Sequence, residues 1–364
     1  MQGSKTVLVT GGAGYVGSHC CKAFARAGWR VVTFDNLSRG WPEAVKWGPL
    51  VEGDVGDADA VRDALAKYRP DVVAHFAAYA YVGESVERPE LYYRNNTAST
   101  LVLLEEMLRA GVGRLIFSST CASYGIPIRL PIDESHPQAP INPYGWSKFA
   151  VERMIEDFGR GHGLDAVILR YFNAAGCDTD GEIGEHHEPE THVIPLAVEA
   201  ALSHDRTFTV NGFDLDTRDG TAIRDYVHVV DLADAHVLAG EKLLIDRSVH
   251  VYNLGTGVGT SIGELIDAVA RISGSTPRVA YGPPRPGDPP VLVAAHDKAG
   301  RELGWEPTQS SIERIVETAV AWYQPRLLRS ATQRSPAASP RECRPASIRF
   351  AGTAEGRAKR APRS

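Results

Sequence analysis

The feature that most constrains this chain is a glycine-rich segment that follows a short apolar run near its amino terminus. Thr6–Thr10 is typical of a strand, Gly12, Gly14 and Gly17 follow in a GxGxxG pattern, and residues 16–28 are typical of a helix. Glycines at these positions permit a tight turn, a close approach of the backbone to a pyrophosphate, and close packing of helix on strand. Unpaired N–H groups at the start of the helix favour phosphate. The segment therefore predicts a dinucleotide-binding site.

An acidic residue at the end of the next apolar run bears on which dinucleotide is bound. Asp35 follows residues 29–34, a run rich in β-branched side chains. A carboxylate at this position suits the two hydroxyls of a ribose and repels a 2′-phosphate, so the sequence favours NAD over NADP. Arg39 lies close enough in the sequence to keep NADP as an alternative.

Short apolar runs and helical patterns alternate along the first 170 residues. Strand patterns recur at residues 50–53, 72–76 and 115–119, and a helical pattern covers residues 97–109. Such alternation indicates βαβ units and a parallel sheet. We predict an α/β fold, with a doubly wound parallel (Rossmann) sheet in residues 1–172. A smaller, mixed α/β lobe for the substrate is predicted in residues 173–324, from which residues 249–253 are a candidate strand of the main sheet.

Charge is distributed unevenly, and this bears on partners and location. Residues 325–364 contain ten Arg or Lys and two Glu, whereas the whole chain carries a net charge of −6. The segment is rich in Pro, Ser and Arg, which predicts a disordered basic tail. The acidic remainder argues against a nucleic-acid partner. No apolar stretch approaches the roughly 20 residues that span a bilayer, so no membrane association is expected. Five scattered cysteines favour a reducing, cytoplasmic location.

A tyrosine and a lysine suggest acid–base chemistry. Tyr144 and Lys148 follow Pro143 at the start of a helical pattern, and residues four apart on a helix share a face. An ammonium beside a phenol favours the phenolate, so we expect a lowered Tyr144 pKa and a base able to take a proton from a sugar hydroxyl. Thr120 ends a strand pattern that also contains Ser118, and its hydroxyl is a candidate partner for the same oxygen.

Eight ordered segments extend these motifs over nearly the whole chain: TGGAGYVGSH, DNLSRG, HFAAYAYVGESVERP, FSSTCASYG, INPYGWSK, LRYFNAAG, DGTAIRDYVHVVDLADAH and YNLGTG. With them, residues 6–323 resemble the UDP-glucose 4-epimerase family of extended short-chain dehydrogenase/reductases. The resemblance implies an NAD enzyme that interconverts UDP-galactose and UDP-glucose through a transient 4-keto sugar. Tyr144 would be the base, Thr120 would orient the 4-oxygen, and Lys148 would hold the nicotinamide ribose. A homodimer through helices at residues 97–110 and 148–160 is also implied.

The same resemblance implies a set of binding residues. Those expected to contact NAD are Gly11, Gly14, Tyr15, Val16, Gly17, Asp35, Asn36, Ser38, Asp54, Val55, Phe76, Ala77, Ala78, Asn95, Ser118, Tyr144, Lys148 and Tyr171. Those expected to contact the UDP-sugar are Thr120, Tyr144, Phe172, Asn173, His192, Val193, Val210, Asn211, Arg224, Arg285 and Asp288. Within this set, Arg224 and Arg285 are expected to meet phosphate, and Asp288 the uridine ribose.

Some residues leave more than one UDP-sugar as the possible substrate. Leu292 occupies the position whose bulk governs acceptance of N-acetylated sugars in the family, and Leu is of intermediate size. The segments SSTCASYG and INPYG also resemble relatives that accept UDP-xylose and UDP-arabinose, so a pentose 4-epimerase is the alternative within the same chemistry. Ala80 stands where many relatives place a lysine near the cofactor. A non-catalytic, NAD-binding redox sensor is the alternative from another class.

Three histidines raise the question of a metal. His186, His187 and His192 lie in the segment EHHEPETH. Their spacing differs from HExxH, and Pro189 would break the helix that such a site needs. The five cysteines also lack a CxxC pair. We therefore expect no metal, and a polar loop over the substrate cleft.

Overall fold

The structure, a computed structural model, describes residues 4–203, 205–284 and 288–334, with side chains as far as residue 328. Its strands are β1 (Thr6–Thr10), β2 (Arg30–Asp35), β3 (Leu50–Glu52), β4 (Val72–His75), β5 (Arg114–Thr120), β6 (Asp165–Tyr171), β7 (Asn173–Ala175), β8 (Phe208–Asn211), β9 (Ile223–Arg224), β10 (Tyr226–His228), β11 (Val249–Leu254), β12 (Thr260–Ser261), β13 (Val279–Gly282) and β14 (Val291–Leu292). Its helices are α1 (Tyr15–Arg26), α2 (Ala58–Tyr68), α3 (Val82–Glu87), α4 (Pro89–Tyr92), α5 (Ser99–Ala110), α6 (Pro143–His162), α7 (Val193–Leu202), α8 (Val229–Ile245), α9 (Ile262–Ser273), α10 (Asp297–Leu303) and α11 (Ile312–Arg334).

Seven parallel strands form the main sheet within the described residues, in the order β11-β6-β5-β4-β1-β2-β3. The chain starts at β1 and builds outward on both sides, so the order reverses between β1 and β4. In open α/β sheets, ligands bind outside the carboxyl ends of the strands at such a point. The edge strand β11 pairs in parallel with β6, from Val249 opposite Ala166 to Leu254 opposite Tyr171. The predicted Rossmann sheet and the return of residues 249–253 to it are confirmed.

The main sheet is buried on both faces, as expected for parallel strands with flanking helices. Side chains alternate between faces along each strand. In β1, Val7 and Val9 pack with Phe24 of α1 on one face. Leu8 packs on the other face with Leu65 of α2. Because both faces are covered, every residue of β1 is buried, including the two threonines at its ends.

A second core lies in the smaller lobe. Here α7, α9 and α11 pack around buried residues such as Val198, Leu265 and Val316. Three small sheets accompany these helices: β8 with β13, β7 with β10, and β12-β9-β14. The division of the chain at residue 172 stays a prediction, because β11 lies within the lobe's sequence but belongs to the main sheet.

The last helix corrects the predicted start of the tail. Residues 325–334 were expected to be disordered, but α11 continues through Pro325 to Arg334. Leu327 packs against the core of the smaller lobe, so burial of an apolar side chain extends the helix beyond the predicted boundary. The rest of the predicted tail, residues 335–364, lies outside the described residues.

One predicted helix begins differently. A π-helical turn, Tyr93–Ala98, precedes α5, so the helix expected at residues 97–109 starts in a widened turn. Within that turn the Asn96 amide donates to the carbonyl of Tyr79 and to the hydroxyl of Ser147. Such turns are frequent at functional sites. None of the helices in the described part of the chain is long and apolar enough to cross a membrane.

Candidate active site

The glycine-rich loop packs tightly against the ends of the strands at the start of α1. Gly11 has a φ of +71°, and a Cβ there would lie 2.5 Å from the backbone nitrogen of Ala77. At Gly17 a Cβ would lie 2.2 Å from the carbonyl oxygen of Gly11. Gly14 caps α1, and Tyr15 and Val16 follow it in a first turn without an acidic side chain. The helix dipole and the first N–H groups therefore suit a bound anion.

Asp35 lies at the carboxyl end of β2, beside this loop. Its two carboxylate oxygens accept the backbone N–H groups of Ala13 and Leu37, each at 2.9 Å. Burial raises the pKa of Asp35, and the two N–H donors act against that shift. Arg39, which kept NADP open, donates to Glu84 at 2.7 and 2.8 Å. Because Glu84 already neutralises Arg39, the carboxylate of Asp35 dominates this part of the site and favours NAD.

Several of the residues expected to contact NAD lie together near the ends of β2 and β3. Asn36 donates from its amide to the Asp54 carboxylate at 2.8 Å and accepts the backbone N–H of Ser38 at 3.0 Å. Asp54 and Asn95 line one cavity at this edge of the sheet. Val55 is instead buried in the core, so its side chain is a packing group.

The start of α6 positions the candidate base, Tyr144. Asn142 caps the helix by accepting the N–H of Gly145 at 2.9 Å, and Pro143 occupies the first turn, where its missing N–H is not needed. The Thr120 hydroxyl lies close enough to the Tyr144 phenol to act on its pKa. Burial raises the pKa of Tyr144 to about 12, although the Thr120 hydroxyl lowers it. The expected lowering of the Tyr144 pKa is wrong for this state of the chain, because burial outweighs every favourable contact.

Lys148 lies one turn further along α6. Its ammonium donates to the carbonyl oxygen of Ser118 at 2.9 Å and lies 4.9 Å from the ring centre of Phe117. Burial lowers the pKa of Lys148 to about 7, and the charge of Glu152 acts in the opposite direction. The Ser118 hydroxyl lies 2.6 Å from the phenol oxygen of Tyr171. Lys148, Ser118 and Tyr171 therefore meet where β5 and β6 end.

A buried ion pair that the sequence interpretation missed lies behind these groups. Arg170 of β6 donates to Glu152 of α6 at 2.6 Å and to the phenol of Tyr124 at 3.0 Å. Glu152 also accepts from Gln138 at 2.8 Å and from the hydroxyl of Ser119. One signal was present in the sequence: Glu152 follows Lys148 by one helical turn, on the face that Lys148 buries.

The substrate side is formed by β6, β9 and β14. Phe172 packs in a small apolar cluster with Tyr124, Ile132 and Ala294, and Cys121 and Leu292 lie partly buried against it. Arg224 of β9, whose side chain is 10% exposed, donates to Asp288 at 2.5 Å. Leu292 is paired with Arg224 across β14 and β9. The expected sugar-pocket residues and the expected phosphate ligand are therefore adjacent.

Other expected residues lie on several elements. Asn173 begins β7, Val193 begins α7 after its cap His192, and Asn211 ends β8. Val210 is buried in the core of the smaller lobe, so its side chain is a packing group. His192 faces Glu185 and Glu190. Phe76, Ala77 and Ala78 follow one another at the end of β4, next to the glycine-rich loop. Arg285 lies outside the described residues.

A second residue missed in the sequence is Asp225, which follows Arg224. Its buried carboxylate accepts the N–H and the hydroxyl of Thr256 at 2.8 and 2.7 Å, and the N–H groups of Gly257 and Ala294 at 3.1 Å. It fastens the loop after β11 to the strand that carries Arg224. The alternation of charged and apolar residues around it gave no sign of this burial.

Together these groups fit NAD. The loop provides backbone donors at a helix start, Asp35 provides a ribose acceptor, and Lys148 with Tyr144 lies beyond the end of β5. Small side chains at Gly11 and Ala77 bring two strand ends close together, as a flat cofactor lying across them requires.

Comparisons with known proteins agree with this geometry. Residues 7–255 match the model of the NAD dependent epimerase/dehydratase family. A UDP-glucose 4-epimerase of Rhizobium meliloti (strain 1021) is 51% identical over 323 residues, covering 89% of this chain and 98% of the relative. A probable UDP-arabinose 4-epimerase of Arabidopsis thaliana is 43% identical, covering 88% of this chain and 81% of the relative.

A solved structure gives the same result for the fold. The UDP-glucose 4-epimerase of Brucella ovis, in complex with NAD, superposes with a TM-score of 0.86 at 48% identity, over 88% of this chain and 99% of that one. These matches confirm the resemblance drawn from the eight sequence segments. The chain therefore belongs to the NAD-dependent epimerase/dehydratase family.

Proposed function

We propose that this enzyme interconverts UDP-galactose and UDP-glucose by inverting C4 of the sugar. The observation that carries the proposal is the placement of Tyr144 close to Thr120 and one turn from Lys148, which donates to the carbonyl of Ser118 in β5. The 51% identity to a UDP-glucose 4-epimerase over nearly its whole length supports the same substrates. A redox sensor has no need of this acid–base group.

Side chains of the protein transfer the proton of the sugar 4-hydroxyl. Tyr144 takes the proton of the sugar 4-hydroxyl and later returns it to the 4-oxygen. Thr120 favours the phenolate, because its hydrogen bond lowers the Tyr144 pKa. Lys148, whose pKa lies at about 7, changes its charge near neutral pH. NAD, when bound, supplies the group that takes the hydride from C4 and gives it back, so no net oxidation results.

Residues of the smaller lobe bind the nucleotide part of the substrate. Arg224 is a buried cation on the strand paired with that of Leu292, and its partner Asp288 has a side chain that is 42% exposed. We expect the UDP diphosphate to bind the Arg224 guanidinium, since planar guanidinium groups bind phosphate oxygens in pairs. Asp288 is then free to accept a hydrogen bond from the uridine ribose.

The pentose alternative rests on the arabinose-named relative, at 43% identity. The test is incubation of the purified protein with UDP-galactose and, separately, with UDP-xylose, followed by the anomeric signals in proton NMR. Conversion of UDP-galactose to a mixture with UDP-glucose supports the proposal. Conversion of UDP-xylose alone moves the substrate to pentoses. Tyr144→Phe should abolish turnover, whereas the matched control Tyr68→Phe, on the remote helix α2, should retain it.

A homodimer and a cytoplasmic location belong to the same proposal. Leu101 and Leu108 on α5 and Trp146 on α6 are exposed apolar side chains, which supports a partner on these helices. Light scattering at micromolar concentration should give twice the mass of one chain. The described cysteines, Cys20, Cys21, Cys121 and Cys177, are unpaired, which fits a reducing compartment.

A further inference from the structure

Four side chains of the segment before α7 converge on one point. We propose that Glu185, His187, Glu190 and His192, called here the Glu–His cluster, bind one divalent transition-metal ion of the zinc class. One ligand atom from each residue lies within 4.8 Å of all the others. No step of the proposed reaction uses these groups, so the inference goes beyond the proposed function.

The spacing of these atoms matches a tetrahedral site. His192 Nδ1 lies 2.7 Å from Glu185 Oε1 and 3.4 Å from Glu190 Oε1. His187 Nδ1 lies 3.5 Å from Glu185 Oε1 and 3.5 Å from Glu190 Oε2. Zinc bonds of about 2.0 to 2.2 Å in a tetrahedron place neighbouring ligand atoms about 3.3 to 3.6 Å apart. Three of the four distances fall in that interval. The two Glu190 contacts use different oxygens, so a tetrahedral site also requires the Glu190 carboxylate to turn one oxygen toward both histidines.

Three of these atoms are buried without a hydrogen bond of ordinary geometry. Glu185 Oε1, His187 Nδ1 and His192 Nδ1 meet one another as ion-pair contacts, and no hydrogen bond from the described residues reaches them. The Glu185 side chain is only 3% exposed. Buried polar atoms are nearly always satisfied, and here three unsatisfied atoms face one another. A single cation between them would satisfy all three.

Charge and chemistry agree with a metal. Two neutral imidazoles, two carboxylates and one divalent cation sum to zero charge, which a buried site requires. Imidazole and carboxylate ligands are typical of zinc and its neighbours in the first transition row. The Glu190 side chain is 9% exposed, whereas that of His192 is 40% exposed, which leaves a route for an ion to enter.

A second acidic group in the same loop region provides the contrast. Asp178, Asp180 and Glu182 also cluster, but the Lys22 ammonium lies among them at 2.6 to 2.8 Å. That lysine already neutralises the carboxylates and occupies the place that a cation would take. In the Glu–His cluster the carboxylates instead face the imidazoles of the cluster itself, whose pKa values they raise, so a metal ion has to displace only protons there.

The sequence argument against a metal assumed that the histidines needed a helix. The structure instead places the cluster in a loop, and that loop joins parts of the molecule that are distant in sequence. The His187 ring centre lies 6.0 Å from that of Tyr15, in the dinucleotide loop, and 5.9 Å from that of Tyr81. The carbonyl of Glu185 accepts from Trp322 of α11 at 3.1 Å. A bound ion therefore fastens this loop between the two lobes.

The test uses the purified full chain, produced without a histidine tag and stripped of metal with a chelator. Co²⁺ is titrated while the visible absorption is followed, because tetrahedral Co²⁺ absorbs far more strongly than hydrated Co²⁺. We expect saturation at one ion per chain, loss of the bands when Zn²⁺ is added, and a higher unfolding temperature with Zn²⁺.

Two variants separate the cluster from adventitious binding. His187→Asn removes a ligand and should weaken binding at least about tenfold. His186→Asn is the matched control: its ring stacks on Trp41 at 3.9 Å and does not join the cluster, so binding should be unchanged. Glu190→Gln provides a second ligand variant if His187→Asn does not fold. The proposal is wrong if the wild-type chain shows no stoichiometric tetrahedral Co²⁺ spectrum, or if His186→Asn weakens binding as much as the ligand variants.

Discussion

Lys148 and Glu152 lie one turn apart on α6, and they contact consecutive residues of β5: Lys148 donates to the carbonyl of Ser118, and Glu152 accepts from the hydroxyl of Ser119. Glu152 in turn holds Arg170. The candidate catalytic lysine is therefore attached to a buried ion pair, and the charge of Glu152 raises the Lys148 pKa against the effect of burial. One face of α6 therefore carries both the candidate catalytic lysine and the carboxylate of the buried ion pair.

Glu152→Gln should destabilise the chain strongly. The substitution leaves the buried Arg170 guanidinium without its carboxylate, and breaking a buried pair in this way lowers the free energy of unfolding by about 3 to 5 kcal/mol. Denaturant unfolding measures the change. Glu156→Gln is the control on the same helix: Glu156 pairs with Arg153 at 2.8 Å nearer the surface, where about 1 kcal/mol or less is expected. Equal losses in the two variants would contradict this account of the ion pair.

Thr120→Val should slow turnover and move its pH dependence. Tyr144 must lose its proton to act as a base, so the rate rises with pH through the Tyr144 pKa. The Thr120 hydrogen bond lowers that pKa, and its loss moves the rising limb to higher pH. A hydrogen bond to a charged group contributes about 1.5 to 3 kcal/mol, which corresponds to roughly 10- to 100-fold in kcat near neutral pH.

Thr120→Ser is the matched variant, because it keeps the hydroxyl and loses only a methyl group. Its kcat should stay within about fivefold of wild type, since removal of one methyl(ene) group costs about 1 kcal/mol or less. Initial rates with UDP-galactose between pH 6 and pH 10 distinguish the two variants. If the pH–rate profile of Thr120→Val superposes on that of Thr120→Ser, the Thr120 hydroxyl has no role in the mechanism.

Leu292 should limit the size of the sugar. It lies partly buried against the apolar cluster that contains Phe172, in the strand paired with that of Arg224. Leu292→Ser shortens this side chain and enlarges the pocket. It should therefore raise kcat/KM for UDP-N-acetylglucosamine at least about tenfold relative to kcat/KM for UDP-glucose, an effect of the size that one or two carbon atoms have in an apolar pocket. Leu292→Met conserves volume and should leave the ratio near its wild-type value. An unchanged ratio in Leu292→Ser would assign sugar-size selection to other residues.

Local spacing explains which features were predictable from the sequence. The glycine-rich turn, Asp35 after the next strand, and Tyr144 with Lys148 each depend on a few neighbouring residues, and the structure brings them together at one edge of the sheet. Fold class followed from the alternation of strands and helices for the same reason.

The features that were missed depend on packing between distant segments. Arg170 and Glu152 pair across 18 residues, and Asp225 binds a loop 31 residues away. The Tyr144 pKa depends on burial, which spacing along one helix does not reveal. The Glu–His cluster was excluded on the assumption of a helix, whereas loop geometry around Pro189 brings its ligand atoms together.

The most direct test of the central claim follows the hydrogen on C4. UDP-galactose carrying deuterium at C4 is incubated with the enzyme in ordinary water, and the UDP-glucose formed is examined by NMR and mass spectrometry. Because the hydride leaves C4 and returns to C4 without exchange with solvent, we predict UDP-glucose that retains its deuterium. Product with hydrogen from water at C4, or an absence of UDP-glucose, would contradict the proposed mechanism.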